Sequence, residues 1–362
     1  MKNEWIYEKL DDVCSVDYGT RVVQKKDKGS KYYVYGGGGA TFMVDTYNRE
    51  DCFVVARFAM SPKCTRFVSG KFFLNDSGLS VSTKSTKLLQ SFVNKVLLAN
   101  NDTIYNMGKG MAQKNLDMPS FRNLDIPVPP LQEQERIVAE LDLLTEIIDK
   151  QKQQLKELDT LAQSIFYDMF GSPDANEKEW IMKSLAEIGT IVSGSTPSTS
   201  DESNWDGDVN WVTPAELGVQ LFYGETRRKI TSKAAKSLTI MPIGTLLMSS
   251  RAPIGKLAIT SVPMCCNQGF KNIVCGNNVN NIYLYYCLML NINSIKAMGR
   301  GATFKEVSKQ AVSSFEIMLP PMNLQELFAQ KILSIESQKE SINRSIAESQ
   351  KLFDYTMDKY FG

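Results

Sequence analysis

Two mixed α/β (α+β) lobes in tandem pseudo-twofold repeat, joined by two long antiparallel coiled-coil helices, are the fold class the sequence predicts. Three observations predict it. The chain repeats itself at a spacing of 191 residues, each copy places a double proline before a long polar segment, and apolar residues run through both segments at alternating steps of four and three.

The repeat needs no gap over its second half. Gly108-Lys109-Gly110 recurs as Gly299-Arg300-Gly301, Lys114 as Lys305, Gln134-Glu135 as Gln325-Glu326 and Phe170-Gly171 as Phe361-Gly362. Near the front the offset falls to 175, where "EWIYEKLDDVCSVDYG" from Glu4 matches "EWIMKSLAEIGTIVSG" from Glu179, so the second copy holds about 16 extra residues. The expected division is a lobe at 1–128, a helix at 129–171, a second lobe at 172–319 and a second helix at 320–362.

In the first lobe, "CFVVARF" at 52–58 and "RFVSGKFFL" at 66–74 read as strands, and 86–99 reads as a helix burying Leu88, Leu89, Phe92, Val93, Val96 and Leu97. The densest glycines, Gly36 to Gly39, invite a phosphate-cradle reading. No Lys-Ser/Thr and no helix pattern follows them, so a turn or a close backbone approach is expected. In the second lobe, "TLLMSS" at 245–250 reads as a strand and 282–291 as the repeated helix.

Each lobe leads into Pro-Pro, at 129–130 and 320–321. A proline suits the entry and first position of a helix, where its missing N–H costs nothing, and Glu133 and Glu135 suit the positive end of the helix dipole. The seam in helix one is Ile137, Leu141, Leu144, Ile148, Gln151, Leu155, Leu158, Ala162, Ile165 and Met169; adding 191 gives Phe328, Ile332, Ile335, Lys339, Ile342, Ile346, Ser349, Phe353, Thr356 and Tyr360. Such spacing marks a coiled coil; the competing reading is an amphipathic helix lying on its own lobe. Each helix would be ~60 Å long at ~1.5 Å per residue, more than one small lobe covers. Connectivity then requires antiparallel pairing, with the lobes expected at opposite ends of a helical spacer. In a fully overlapped pair the polar seam positions Gln151 and Lys339 would fall near one level.

Composition excludes several classes. With 43% hydrophobic and 22% charged residues in 362, the chain can bury two ordinary cores. The beginning lacks the apolar core of a signal peptide and no run reaches the ~18 apolar residues of a membrane span. Seven cysteines without a Cys-x-x-Cys pair fit a reducing, cytoplasmic setting. Histidine is absent, which removes Ser-His-Asp and Cys-His catalysis and mixed Cys/His zinc sites. No Walker loop, dinucleotide fingerprint or amino-methyltransferase tetrapeptide occurs, so neither a catalytic residue nor a metal site is expected.

Net charge is +1 overall but uneven: residues 1–130 carry 18 Lys/Arg against 13 Asp/Glu, whereas 131–171 carry 4 against 9. A modest basic excess in the lobes is compatible with binding phosphate. Cations beside small or polar residues in turns are the candidates for phosphate and base-edge contacts. They are Arg21, Lys25, Lys26, Arg57, Lys63 and Lys109 in the first lobe, and Arg227, Arg228, Lys229, Arg251, Lys256 and Arg300 in the second. A solvated surface charge is the competing reading for each. Lys114 and Lys305 stand apart because each follows a Gly-x-Gly at the same repeat position. Trp205 and Trp211 read as core or loop anchors rather than base-stacking groups.

These residues together resemble the DNA-specificity subunits of type I restriction-modification systems. "IPVPPLQEQERIVAELD" and "IMLPPMNLQELFAQKI" are similar to that family's repeated conserved regions; "SGSTPSTSDESNWDGDVNWVTPAEL" at 193–217 and "YGTRVVQKKDKGSKYYVYGGGGATF" at 18–42 resemble openings of its target-recognition domains. The second junction departs, reading "MNLQE" for "LQEQE", and Lys339, Ser349 and Thr356 make its seam more polar. The resemblance implies a non-catalytic subunit in which each lobe reads half of a bipartite, asymmetric target in double-stranded DNA. It implies two modification (methyltransferase) subunits docked on the helices and restriction (translocase/nuclease) subunits beyond them. S-adenosylmethionine, ATP and magnesium would be used by those partners. The alternatives are a coiled-coil assembly scaffold without DNA readout and a carboxylate-dependent enzyme hidden in a lobe.

Overall fold

The computed structural model describes residues 5–111, 113–218, 220–251, 253–300 and 305–362. Both long segments are single helices, Leu131–Phe170 and Met322–Phe361, each starting at the residue that follows its double proline. Their bounds differ by the repeat offset at both ends. So do those of the shorter helices: Gln90–Ala99 matches Asn281–Leu290, Asn101–Asn106 matches Ile292–Ala297, and Met118–Arg122 matches Lys309–Ser313.

The chain forms two compact units, one of Met1–Lys152 with Arg344–Gly362 and one of Gln153–Asn343. In the first, a six-stranded sheet runs in the order Cys14–Tyr18, Gly78–Thr83, Arg49–Ala56, Thr65–Leu74, Tyr32–Gly36, Gly39–Val44. All its pairings are antiparallel except that of Tyr32–Gly36 with Thr65–Leu74. The strand expected at 52–58 stops at Ala56, because the Arg57 and Phe58 amides both turn to the Ser77 carbonyl and leave the ladder. The helix expected from residue 86 starts at Gln90, since Leu89 stays extended at the cap while Leu88 is still buried.

The second unit carries a five-stranded sheet, Gly189–Ser193, Lys271–Cys275, Leu246–Met248, Leu257–Thr260, Phe222–Tyr223. A three-stranded sheet of Arg228–Ile230, Trp205–Val212 and Cys265–Cys266 repeats what Gly39–Val44, Tyr32–Gly36 and the end of Thr65–Leu74 form in the first unit: the middle strand is antiparallel to one neighbour and parallel to the other. The strand expected at 245–250 is confined to Leu246–Met248. The described residues contain no helix long and apolar enough to cross a membrane.

Each unit takes half of each long helix, and within each the halves pair antiparallel. In the first, Glu140 accepts from the Tyr360 hydroxyl at 2.8 Å and Gln151 donates to Ser345 at 2.6 Å. In the second, Phe166 and Phe170 meet Phe328 edge-on and Asp159 pairs with Lys339 at 2.8 Å. The seam residues Ile137, Leu141, Leu144, Ile148, Leu155 and Leu158 are buried or half-buried, as are Phe328, Ile332, Ile335, Ile342, Ile346 and Phe353. At the ends the seam widens: Ile137, Leu141, Met357 and Tyr360 join the core of the first lobe, and Ala162, Phe166, Phe170, Phe328 and Ile332 join that of the second. The coiled coil and the lobe-packed helix are thus both realised, along different stretches of one helix.

Gln151 and Lys339 each find a partner inside their own unit. Gln151 meets Ser345 and leaves its Oε1 buried without a partner, while Lys339 lies between Asp159 and Glu336, both at 2.8 Å. Burial draws the Lys339 pKa down, but the two carboxylates outweigh it and hold it above the ordinary lysine value.

The motif after each double proline encloses a buried glutamine. Gln134 is fully buried; its Oε1 accepts from the Leu89 amide at 2.9 Å and its Nε2 donates to the Lys87 and Pro129 carbonyls at 2.8 and 2.7 Å. Gln325 does the same in the second unit, accepting from the Asn280 amide at 2.8 Å and donating to Asn278 and Pro320 at 3.3 and 2.8 Å. Buried amides require this full satisfaction, so one side chain locks the start of each long helix to the start of its lobe's main helix.

Candidate nucleic-acid interface

The Gly-x-Gly repeat is a hairpin of one register in both lobes. Lys109 pairs with Asn115, and Arg300 pairs with Glu306 at positions 191 later. Gly301 lies outside the described residues. Gly110, at φ +121°, makes the turn that a side chain would strain. The chain folds back closely: a methyl on Gly108 would sit 3.1 Å from the Lys114 Cβ, and one on Gly299 would sit 3.4 Å from the Lys305 Cβ. The hairpin is also sewn to the same loop in each lobe, Leu116 donating to the Arg57 carbonyl and Val307 to the Ser250 carbonyl, at 2.8 and 3.0 Å.

In the first lobe three loops converge here. The Met60 amide donates to the Lys114 carbonyl at 2.9 Å, and the Ala59 amide to Asn115 Oδ1 at 3.2 Å. The hairpin tip of Gly36 to Gly39 backs onto the same loop, so the close approach expected there is real: a methyl on Gly37 would sit 2.5 Å from the Phe58 carbonyl. The Gly37 amide donates to Ser77 Oγ at 3.1 Å. The structure therefore brings Arg57, Lys63, Lys109 and Lys114 together. Arg57 lies over the rings of Tyr18 and Phe58 at 4.6 and 4.3 Å, and Lys114 over Tyr105 at 4.0 Å. Lys109 is paired with Asp117 at 2.8 Å. That hydrogen bond, with a second from Ser120, lowers the Asp117 pKa to about 2. Arg21 lies in an exposed loop, and Lys25 and Lys26 occupy the exposed turn Gln24–Asp27. Arg66 was not among the sequence candidates. Its guanidinium holds the tip and loop together by donating to the Gly37 and Lys63 carbonyls at 3.0 and 2.8 Å, a contact for which the sequence carries no local signal.

In the second lobe the backbones of Arg251 and Arg300 both pair with that of Glu306 in antiparallel β-bridges, and the Glu306 carboxylate takes the Lys271 ammonium at 3.2 Å. Lys305 is exposed beside them. Arg228 stands on the other sheet, over Trp205 at 3.6 Å, with exposed Arg227 and Lys229 flanking it. Both tryptophans are buried and their indoles donate to the Ser198 and Ser195 carbonyls at 3.2 and 3.1 Å, tying down the loop as expected of anchors. Lys256 is elsewhere: it lines a cavity of about 340 Å³ with Tyr285, Tyr286, Glu336 and Lys339.

The described residues hold no group of three side chains able to grip a metal ion. All seven cysteines are free thiols. Burial raises Cys14 and Cys265 to about 11 and Cys266, Cys275 and Cys287 to about 12, so these stay protonated at neutral pH.

A family model described as the type I restriction modification DNA specificity domain matches twice, at residues 2–160 and 177–349. The chain belongs to this family. Each match contains one lobe with most of the long helix that follows it. The MjaIX specificity subunit of Methanocaldococcus jannaschii is 39% identical over 158 residues, 42% of this chain and 37% of that one. The EcoR124I/EcoR124II specificity subunit of Escherichia coli is 26% identical over 268 residues, 69% of this chain and 64% of that one. The matched stretches therefore span less than two thirds of these relatives. Among solved structures, the type I S subunit of M. genitalium aligns over 99% of this chain and 96% of its own with a TM-score of 0.63 at 15% identity. A structure described under complex assembly and conformational transition of the type I system aligns over 99% and 97%, with a TM-score of 0.60 at 19% identity. These two likenesses speak to the fold, in which family members share the two lobes and paired helices.

Proposed function

We propose that this chain is the DNA-reading subunit of a type I restriction-modification complex, with residues 1–128 and 172–319 as target-recognition domains that each read one half of a bipartite, asymmetric sequence. The observation that carries the reading is the duplicated hairpin: one register, one stitch to the neighbouring loop, and cations at the same two positions in each lobe. Protein surfaces duplicate such detail when two copies face the same kind of ligand, and duplex DNA presents one backbone to both. The scaffold reading accounts for the helices but gives the hairpins nothing to do.

The chain itself supplies no chemistry in this reading. Methyl transfer from S-adenosylmethionine and ATP- and magnesium-dependent cleavage belong to modification and restriction subunits, two of the former resting on the long helices, inside the cytoplasm. The test is methylome sequencing of a host expressing the chain with its modification partner, the partner alone, or the chain alone. A bipartite adenine-methylation motif is expected only with both. Exchanging 1–128 for the equivalent lobe of a relative should change one half of the motif; a change in both halves, or methyl transfer by the chain alone, overturns the proposal.

A further inference from the structure

We infer that Arg57 is the residue with which the first lobe reads a guanine, held for that purpose between Tyr18 and Phe58; the inference rests on the proposed DNA-reading function. The other described arginines of this lobe fall into two kinds. Arg49, Arg66 and Arg122 are engaged within the protein: Arg49 donates to Ser80 Oγ and to the Asn48 and Tyr18 carbonyls, Arg66 to the Gly37 and Lys63 carbonyls, and Arg122 pairs with Asp11. Arg21 sits in an exposed loop with nothing to orient it.

Arg57 is of neither kind. Its backbone is fixed on both sides, the amide donating to Ser77 and the carbonyl accepting from Leu116, each at 2.8 Å. Its guanidinium lies over two aromatic rings and makes no hydrogen bond or ion pair with a described residue. Held over the rings, the guanidinium spends none of its N–H donors on an oxygen of a described residue and keeps them for a ligand. Tyr18 and Phe58 are exposed aromatics at 46% and 39%, an arrangement that a core does not need. A planar, charged fork with its donors open matches the O6/N7 pair of guanine in the major groove, the commonest specific base contact of an arginine; a phosphate is the other acceptor such a fork fits, and the experiment below separates the two. Tyr18 and Phe58 are positioning residues that act through Arg57.

The experiment uses the assembled methyltransferase, this chain with its modification subunits, on duplexes carrying the parental motif. Each guanine of the half-site assigned to the first lobe by lobe exchange is replaced singly by 7-deazaguanine, which lacks only the N7 acceptor. One such guanine should weaken binding about 5- to 150-fold in the parental complex. The same replacement should make no further difference in R57A. The methylome of R57A should degenerate at that one position and keep the other half-site. F58A should lose discrimination at the same position, and adding F58A to R57A should change nothing more. A phosphate contact would appear as uniform weakening with the motif intact and with R57K near parental, and that result overturns the inference. So does a half-site in which no guanine depends on N7, which needs no variant to fold. A parental complex without a bipartite motif would instead bring down the proposed function.

Discussion

Replacing Gln134 by alanine should unfasten the first lobe from its helix. The side chain makes three hydrogen bonds at 2.7 to 2.9 Å in a fully buried site. At ~1 kcal/mol net for each, with the Leu89 amide left unpaired and the amide-sized void only partly refilled, the loss is about 3–4 kcal/mol. For a unit of this size that shifts the unfolding midpoint down by about 6–16 °C. Calorimetry of the full chain should show the transition of the first unit moving while that of the second stays, and Q325A should do the reverse. Amide exchange at Leu89 gives the local readout: in Q134A it should exchange faster by orders of magnitude, and in Q325A at the parental rate. A Q134A protein with an unmoved transition and a parental Leu89 amide would refute the latch.

Other consequences are open to measurement. Glu187 is lowered to about 2 by Lys183 and then Ser184, below the unfolded value of 4.5, so the stabilisation it gives is present above pH 4.5 and is lost as pH falls towards 2. The stability difference between the parent and E187Q, measured by denaturant titration, should close across that window and be flat above pH 6. The buried, unpartnered Oε1 of Gln151 costs stability, so Q151L with S345A should raise the midpoint of the first unit, corresponding to about 1 kcal/mol. A heptad inserted at matched levels in both long helices keeps the seam and adds ~10 Å, or roughly three base pairs of unread gap in the methylation motif. An unchanged gap in an active variant would show that the helices are not the ruler.

Much of the architecture was legible because duplication and heptad spacing are periodic signals. The offset between Pro129-Pro130 and Pro320-Pro321 fixes where Asn281–Leu290, Ile292–Ala297 and Lys309–Ser313 of the second lobe begin, and the seam from Ile137 to Met169 names the buried face of a helix before any lobe is built. What stayed hidden depends on segments distant in sequence. Gln134 continues the seam one step of three before Ile137, but its partners at Lys87 and Leu89 belong to the lobe, so its spacing reads only as a polar seam position near a helix start. Arg57 was a candidate by composition, but Tyr18, which helps to hold it, is reached only through strand pairing. The partners of Gln151 and Lys339, Ser345 and Asp159, were also hidden, because heptad phase leaves the axial offset of paired helices undetermined: every shift of seven residues preserves it.

The division of the long helices between the units also orders the birth of the molecule. The second unit is one unbroken stretch, Gln153–Asn343, whereas the first waits for Arg344–Gly362. A ribosome therefore releases every part of the second lobe's core before Met357 and Tyr360 exist to finish that of the first, although the first lobe was begun earlier. The nascent chain must shelter a half-covered apolar face throughout synthesis of its middle. A message broken late would yield a first lobe whose core lacks Met357 and Tyr360. The second long helix thus completes the older lobe only after its twin has been made.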